Sequence, residues 1–232
     1  MRKTYMTKTI AFFSGCGGSG KTTSAVNLAA ALAARGLNTI LIDGSLASPH
    51  VGMHLGFPDL AHTIHEVLEG RCTIAKATYI HPCGMLVMPG SSRNHAPQHR
   101  RSVADILLQL YGKSHLVLVD TSHDAATAAP FLKASEETIL VAGAHDPIES
   151  ITRARDIAYS YGSTVIALLA NRCSLRQGKQ LSEKAGIPLL EAIPPDSHIR
   201  ISLQRKQPLV HLHPHAKAAR SFQKAAELLH YA

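Results

Sequence analysis

Eight residues, Gly15-Cys16-Gly17-Gly18-Ser19-Gly20-Lys21-Thr22, constrain this chain more than any others. They fit G-x-x-x-x-G-K-[ST], the spacing of a phosphate-binding loop. The flanks supply the context that the motif requires. Ahead of it, Thr9-Ile10-Ala11-Phe12-Phe13 is a short apolar run of strand formers. Behind it, Thr22 to Ala34 carries Ala25, Leu28, Ala29 and Leu32 at helical spacing. Glycines in such a turn let successive backbone N–H groups point inward as an anion nest, and the helix N-terminus adds positive dipole. Lys21 is placed to reach the β- and γ-phosphates of a nucleotide as a point charge. The Thr22 hydroxyl is placed to ligate a bridging Mg²⁺.

The rest of the chain repeats the strand-then-helix alternation. Buried strands are expected at Asn38–Asp43, Met85–Met88, His115–Asp120, Thr138–Val141, Thr164–Leu169 and Leu189–Ile193. Between Gly44 and Gly56 a loop with a short apolar element is expected, then a helical turn over Thr63–Leu68 and a polar loop over Ser91–His99. Helices are expected over Ser102–Tyr111 and Ile148–Tyr161, from about Ser197, and over Ala216–Leu229. This alternation predicts an α/β fold: a mostly parallel, twisted sheet of about seven or eight strands with helices on both faces. Ligands of such sheets bind beyond the strand C-termini. The phosphate loop, Asp43, Asp120 and Asn171 all fall at expected strand ends, so they are candidates to converge. With no internal repeat, low-complexity tract or linker, residues 1–232 are expected to form one domain.

Composition excludes several classes. Hydrophobic residues make up 45% and charged residues 17%, the balance of a soluble globular protein, and there is no run of 18 apolar residues to span a bilayer. The basic start, Met1 to Lys8, leads into a strand and lacks the apolar core of a signal peptide, so a cytoplasmic location is expected. Cys16, Cys72, Cys83 and Cys173 are widely spaced and read as reduced thiols rather than a disulfide framework. The formal charge of +8 is uneven, since residues 151–232 hold twelve Lys and Arg against five Asp and Glu. A basic C-terminal third points to an anionic partner surface or to a solvated face.

Asp120, after Leu116-Val117-Leu118-Val119, has the form of a Walker B acid that holds the Mg²⁺ shell. Together the motifs resemble the MinD/ParA ATPases, and archaeal MinD-like proteins in particular. Gly15 to Thr23 is similar to their deviant Walker A, G-K-G-G-x-G-K-T-T. Leu41-Ile42-Asp43-Gly44-Ser45-Leu46 resembles the first switch segment, V-D-x-D, and Val117 to Ser122 resembles I-D-x-P. Ala170-Asn171-Arg172 is similar to the segment whose Asn contacts adenine, and Ile193-Pro194-Pro195-Asp196 to an I-P-x-D segment that flanks the base. The resemblance spans nearly the whole chain. It implies a P-loop fold that binds ATP or ADP with Mg²⁺. Gly15, Cys16, Gly17, Gly18, Ser19, Gly20, Lys21, Thr22, Thr23, Asn171, Arg172 and Pro194 would hold nucleotide, Thr22 and Asp120 the metal, and Lys21, Asp43 and Asp120 the chemistry. It also implies an ATP-dependent homodimer and a regulatory or cargo protein as partner.

Three departures matter. The family's signature lysine, which reaches the partner's phosphate across the dimer, is Cys16 here. The switch acid that would position attacking water is Ser45, and the proline after the Walker B acid is Ser122. A thiol supplies no cation, and a hydroxyl is a poor base at neutral pH. Weak or absent hydrolysis is therefore expected, with Asp124 as the one nearby acid to consider as a substitute. MinD proteins carry an amphipathic membrane-docking tail after the last helix; with the sequence read to Leu229-His230-Tyr231-Ala232, membrane cycling by that route is not expected. Arg200, Arg205, Lys206, Lys217, Arg220 and Lys224 suit non-specific DNA binding of the ParA kind. Finally, His211, His213 and His215 crowd three imidazoles into five residues, which leaves a metal-handling ATPase as an alternative to exposed histidines.

Overall fold

The structure is a computed structural model that describes residues 6–57, 60–92 and 100–231. Most of the polar loop expected over 91–99, and the first five residues of the basic start, lie outside the described residues. The chain opens with β1 (Lys8–Phe13), α1 (Lys21–Ala34) and β2 (Thr39–Gly44), followed by the short α2 (Val51–Leu55) and α3 (Ile64–Leu68). Next come β3 (Tyr79–Ile80), β4 (Leu86–Met88), α4 (Val103–Leu110), β5 (Leu116–Thr121), α5 (Ala125–Ala134) and β6 (Glu137–Gly143). The last part comprises α6 (Ile148–Ser160), β7 (Thr164–Asn171), α7 (Leu175–Ala185), β8 (Leu189–Ile193), α8 (Ser197–Arg205), α9 (Leu209–Leu212) and α10 (Lys217–Tyr231).

All eight strands join one sheet in the order β3-β4-β2-β5-β1-β6-β7-β8, parallel except for the β3–β4 pair. Period-two alternation assigns each strand residue to a face. In β1, Ile10 and Phe12 point into a core shared with α1 and α10, while Ala11 and Phe13 point into the opposite core beside α5 and α6. Likewise Leu41 and Leu118 face α1, while Ile40, Ile42, Val117 and Val119 pack on α3 and α4. Helices thus cover both faces, as the continuous apolar strands require. No helix among the described residues is long and apolar enough to cross a membrane.

Several elements escape the sequence pattern. Helix α7 buries only Gly178 and Ala185, with Leu181 packed beside them, so its apolar stripe is narrow and built of few large residues; the Ser174–Gln177 capping box opens it. Helix α5 is alanine-rich, with Pro130 inside it, and is begun by Asp124, whose carboxylate accepts from the Thr127 N–H at 2.9 Å. The two-residue β3 and the four-residue α9 are too short to leave a period.

Candidate nucleotide site

Three adjacent strands build the site. Residues Phe12 of β1 and Asp43 of β2 both lie in register with Asp120 of β5, so the three strands end side by side. The phosphate loop leaves β1 and enters α1 through Gly18 and Gly20, at φ +74° and +93°, a backbone region that glycine adopts without strain. At Gly20 any side chain would also meet the Asn171 amide at 1.9 Å. Gly15 lies as close to its surroundings: a Cβ there would stand 2.0 Å from the Ser150 carbonyl of α6. At Gly15 and Gly20 no side chain fits, whereas at Gly18 there is open space and only the positive φ favours glycine.

Lys21 donates to the Ser14 hydroxyl at 2.7 Å, and that hydroxyl in turn donates to the Cys16 carbonyl at 2.7 Å. Ser14 precedes the motif, so the pattern alone does not single it out. Burial pushes the Lys21 ammonium below its ordinary pKa, while the charge of Asp120 opposes the shift. Thr22 Oγ1 donates to Asp120 Oδ2 at 2.6 Å. The other oxygen, Asp120 Oδ1, is buried with no hydrogen-bond partner among the described residues. A buried carboxylate oxygen without a donor is costly unless a cation or its hydration shell satisfies it. The Thr22 hydroxyl, Asp120 and the adjoining phosphate loop are all hard oxygen donors or anion binders, which fits Mg²⁺ held with a nucleotide phosphate.

Asp43 and Asp120 are both buried and sit on neighbouring strands. Burial, reinforced by the charge of Asp120, raises Asp43 to about 8, although the N–H groups of Val51, Ser45 and Gly90 favour its ionised form. Asp120 is raised to about 6 by burial, with Thr22 and Lys21 pulling it down. Asp120 is therefore the partner that stays ionised, and Asp43 the one that keeps a proton. Asp43 Oδ2 accepts from Val51 at 2.9 Å and Oδ1 from Ser45 at 3.3 Å, so this acid holds the loop after β2 in place.

Two clefts meet at the loop. One, of about 480 Å³, is lined by Gly17, Lys21, Thr22, Ser45, Ser122 and three histidines, His50, His54 and His123. The other, of about 520 Å³, lies between Gly18, Gly20 and Thr23 on one side and Asn171, Arg172, Pro195 and Asp196 on the other. Nothing in the strand-and-motif pattern singles out the histidines, because they stand on loops between motifs. The wall residue of the second cleft is Pro195 rather than Pro194, which is not among its lining residues. Asn171 Nδ2 donates to the Ser19 carbonyl at 2.9 Å and Arg172 donates to the Gly18 carbonyl at 2.7 Å, so both residues brace the phosphate loop.

Other sequence candidates sit elsewhere. Cys16 donates from Sγ to Ser150 Oγ at 3.3 Å. Asp124 is exposed and capped onto α5, turned to that helix rather than to the phosphate cleft. His213 packs its ring on His198, with centroids 4.7 Å apart, and no group of three metal-ligating side chains occurs among the described residues.

Parallel sheet, glycine loop, helix and paired strand-end acids define a P-loop nucleotide-binding fold. Residues 10–209 match the CobQ/CobB/MinD/ParA nucleotide binding domain, and the chain belongs to that family. It is 28% identical to an uncharacterized ATP-binding protein of Methanocaldococcus jannaschii, over 97% of this chain and 89% of that one. The antiactivator FleN of Pseudomonas aeruginosa is 27% identical, over 94% of this chain and 84% of its own length. Among solved structures, the septum site-determining protein MinD of Pyrococcus horikoshii, complexed with Mg-ADP, superposes with a TM-score of 0.89 at 28% identity. That match covers 97% of this chain and 96% of the other.

Proposed function

We propose that this chain is an ATP·Mg²⁺-dependent molecular switch that acts in spatial positioning, through a partner protein, and hydrolyses ATP slowly. One observation carries the reading: Thr22 and Asp120 are bonded at the mouth of a phosphate loop, with Asp120 Oδ1 left for a cation shell. Gly15 through Thr23 would hold the phosphates, Thr22 and Asp120 the Mg²⁺, and the cleft beside Asn171, Arg172 and Pro195 the base. Bound Mg²⁺ would supply charge neutralisation between the β- and γ-phosphates. The positioning role is supported by relatives that include septum site-determining proteins. Residues 1–232 would act as one unit that dimerises or changes shape with ATP, and its basic C-terminal third would offer a weak, non-specific surface to DNA.

Slow hydrolysis follows from what stands around the cleft. Ser45 and Ser122 line it where an acid and a proline are usual, and Cys16 supplies no cation. Asp124 caps α5 instead of replacing the missing base. ATP turnover of the purified protein, with Lys21→Ala as background, tests this. Tight Mg·ATP binding is expected with turnover near background, rising about tenfold or more in a Cys16→Lys/Ser45→Asp double variant. Brisk turnover of the unmodified protein, abolished by Lys21→Ala, would refute slow hydrolysis.

A further inference from the structure

The phosphate cleft carries three imidazoles that the reading above does not use. His50 lies on the loop after β2, at the start of α2, and His123 on the loop after β5. Both are exposed and both line the cleft with Lys21 and Thr22, on the side away from Asn171 and Arg172. The His123 ring stands about 3.8 Å from where a Cβ on Gly17 would be, which places the imidazole beside the phosphate loop. Neither imidazole makes a hydrogen bond to a described residue.

His54 is different. Its Nδ1 lies 2.9 Å from the His50 carbonyl and its Nε2 3.4 Å from Thr23 Oγ1. Burial pushes its pKa down, which favours the neutral imidazole, and its two contacts make it a positioning residue that ties α2 to α1. That tether fixes the backbone from which His50 projects.

We propose that His50 and His123 are ligands of the terminal phosphate, making this a site that distinguishes nucleoside triphosphate from diphosphate by imidazole contacts. The inference rests on the nucleotide-binding function proposed above. A phosphate seated on Lys21 and Thr22 would extend its last oxygens into the cleft that the two imidazoles line from the loops after β2 and β5. An imidazole N–H donating to an anionic phosphate oxygen is a charge-assisted contact. It would place a donor near the γ-phosphate where the family's lysine at position 16 is absent.

The other ionisable groups around the cleft do not oppose this. Asp120 of β5 is bonded to Thr22, and its charge attracts His50. Asp43 of β2 is buried beneath and held by backbone N–H groups. Asp124, next to His123, is turned to Thr127, and Cys16 of the loop to Ser150. On α1, Lys21 adds to the positive field, and on α2 burial pushes the His54 pKa down.

The test is calorimetric titration of Mg·ATP and Mg·ADP into the full chain and into a His50→Gln/His123→Gln variant, in one buffer throughout. The double variant is expected to lose about tenfold or more in ATP affinity, while ADP affinity stays within about twofold. A His123→Lys variant, which keeps a donor at that position, should keep its preference for ATP. An unchanged ATP-to-ADP ratio in the double variant overturns the assignment but leaves the nucleotide-binding function standing. Equal losses for both nucleotides, with an unaltered unfolding midpoint, overturn it too, since the imidazoles would then not read the terminal phosphate. If the wild type binds neither nucleotide, that function falls and this inference falls with it.

Discussion

The Asp43–Asp120 pair shows how much one residue's setting can alter its role. As sequence, both read as acids at strand ends. In the fold both are fully buried and adjacent, so they cannot both ionise cheaply. Asp43, raised to about 8, holds a proton at neutral pH in the ligand-free protein, whereas an unfolded aspartate has lost it above about pH 4. Between those values the native state binds the extra proton, so stability falls as pH rises through the window from about 4 to about 8. One such group contributes a slope of at most about 1.4 kcal/mol per pH unit. Chemical unfolding of the ligand-free protein from about pH 5 to about pH 8 should therefore show a decline, and Asp43→Asn should flatten it. A wild-type slope preserved in the variant would assign the proton elsewhere. Pattern recognition located these acids, but their coupling depends on strand order. Ser14, His50 and His123 were illegible for a similar reason, since each gains its function only from what the fold puts next to it.

At the scale of elements, strands were easier to read than helices. Parallel strands buried on both faces leave continuous apolar runs, whereas α7 meets the core through a narrow stripe of Gly178, Leu181 and Ala185 on a mostly polar helix. Gly178 is the point of closest approach. A Cβ there would lie 2.9 Å from the Ala192 side chain and 3.2 Å from that of Ala170. Those methyl groups are fixed to β8 and β7, so they cannot swing aside. Gly178→Ala raises helix propensity by about 1 kcal/mol but must lift α7 off the sheet. The overpacking is expected to win, with a net destabilisation of about 1–3 kcal/mol measured by denaturant unfolding. Since β7 ends at Asn171 and β8 runs into Pro195 and Asp196, nucleotide affinity should weaken as well. A more stable Gly178→Ala protein would show that α7 is loosely seated.

Across the whole molecule, the charge is concentrated where the last helices gather. Arg200 and Arg205 on α8, Lys206 at its end, and Lys217 and Arg220 on α10 are all exposed. Lys224 is exposed too, but Glu191 of β8 pairs with it at 2.7 Å and removes it from the free charge. Six cations have equal standing in the amino-acid order, and the fold withdraws one. Phosphate contacts from about five cations would give a log affinity that falls with log salt at a slope of roughly −4.5 on duplex DNA. Gel retardation at low salt, lost well before physiological ionic strength and indifferent to sequence, is the expected outcome. Reversing Arg205 and Lys206 to Glu should abolish it, whereas Lys224→Ala should change it little. Arg200 also lines the cleft beside Asn171. Bound nucleotide would draw that guanidinium inward, so DNA affinity should differ between the ATP-bound and free protein by the contribution of about one phosphate contact. A retardation assay with and without Mg·ATP measures that difference. Equal affinity in both states would confine the basic face to a role uncoupled from the switch, and no retardation at the lowest salt would exclude it as a DNA surface.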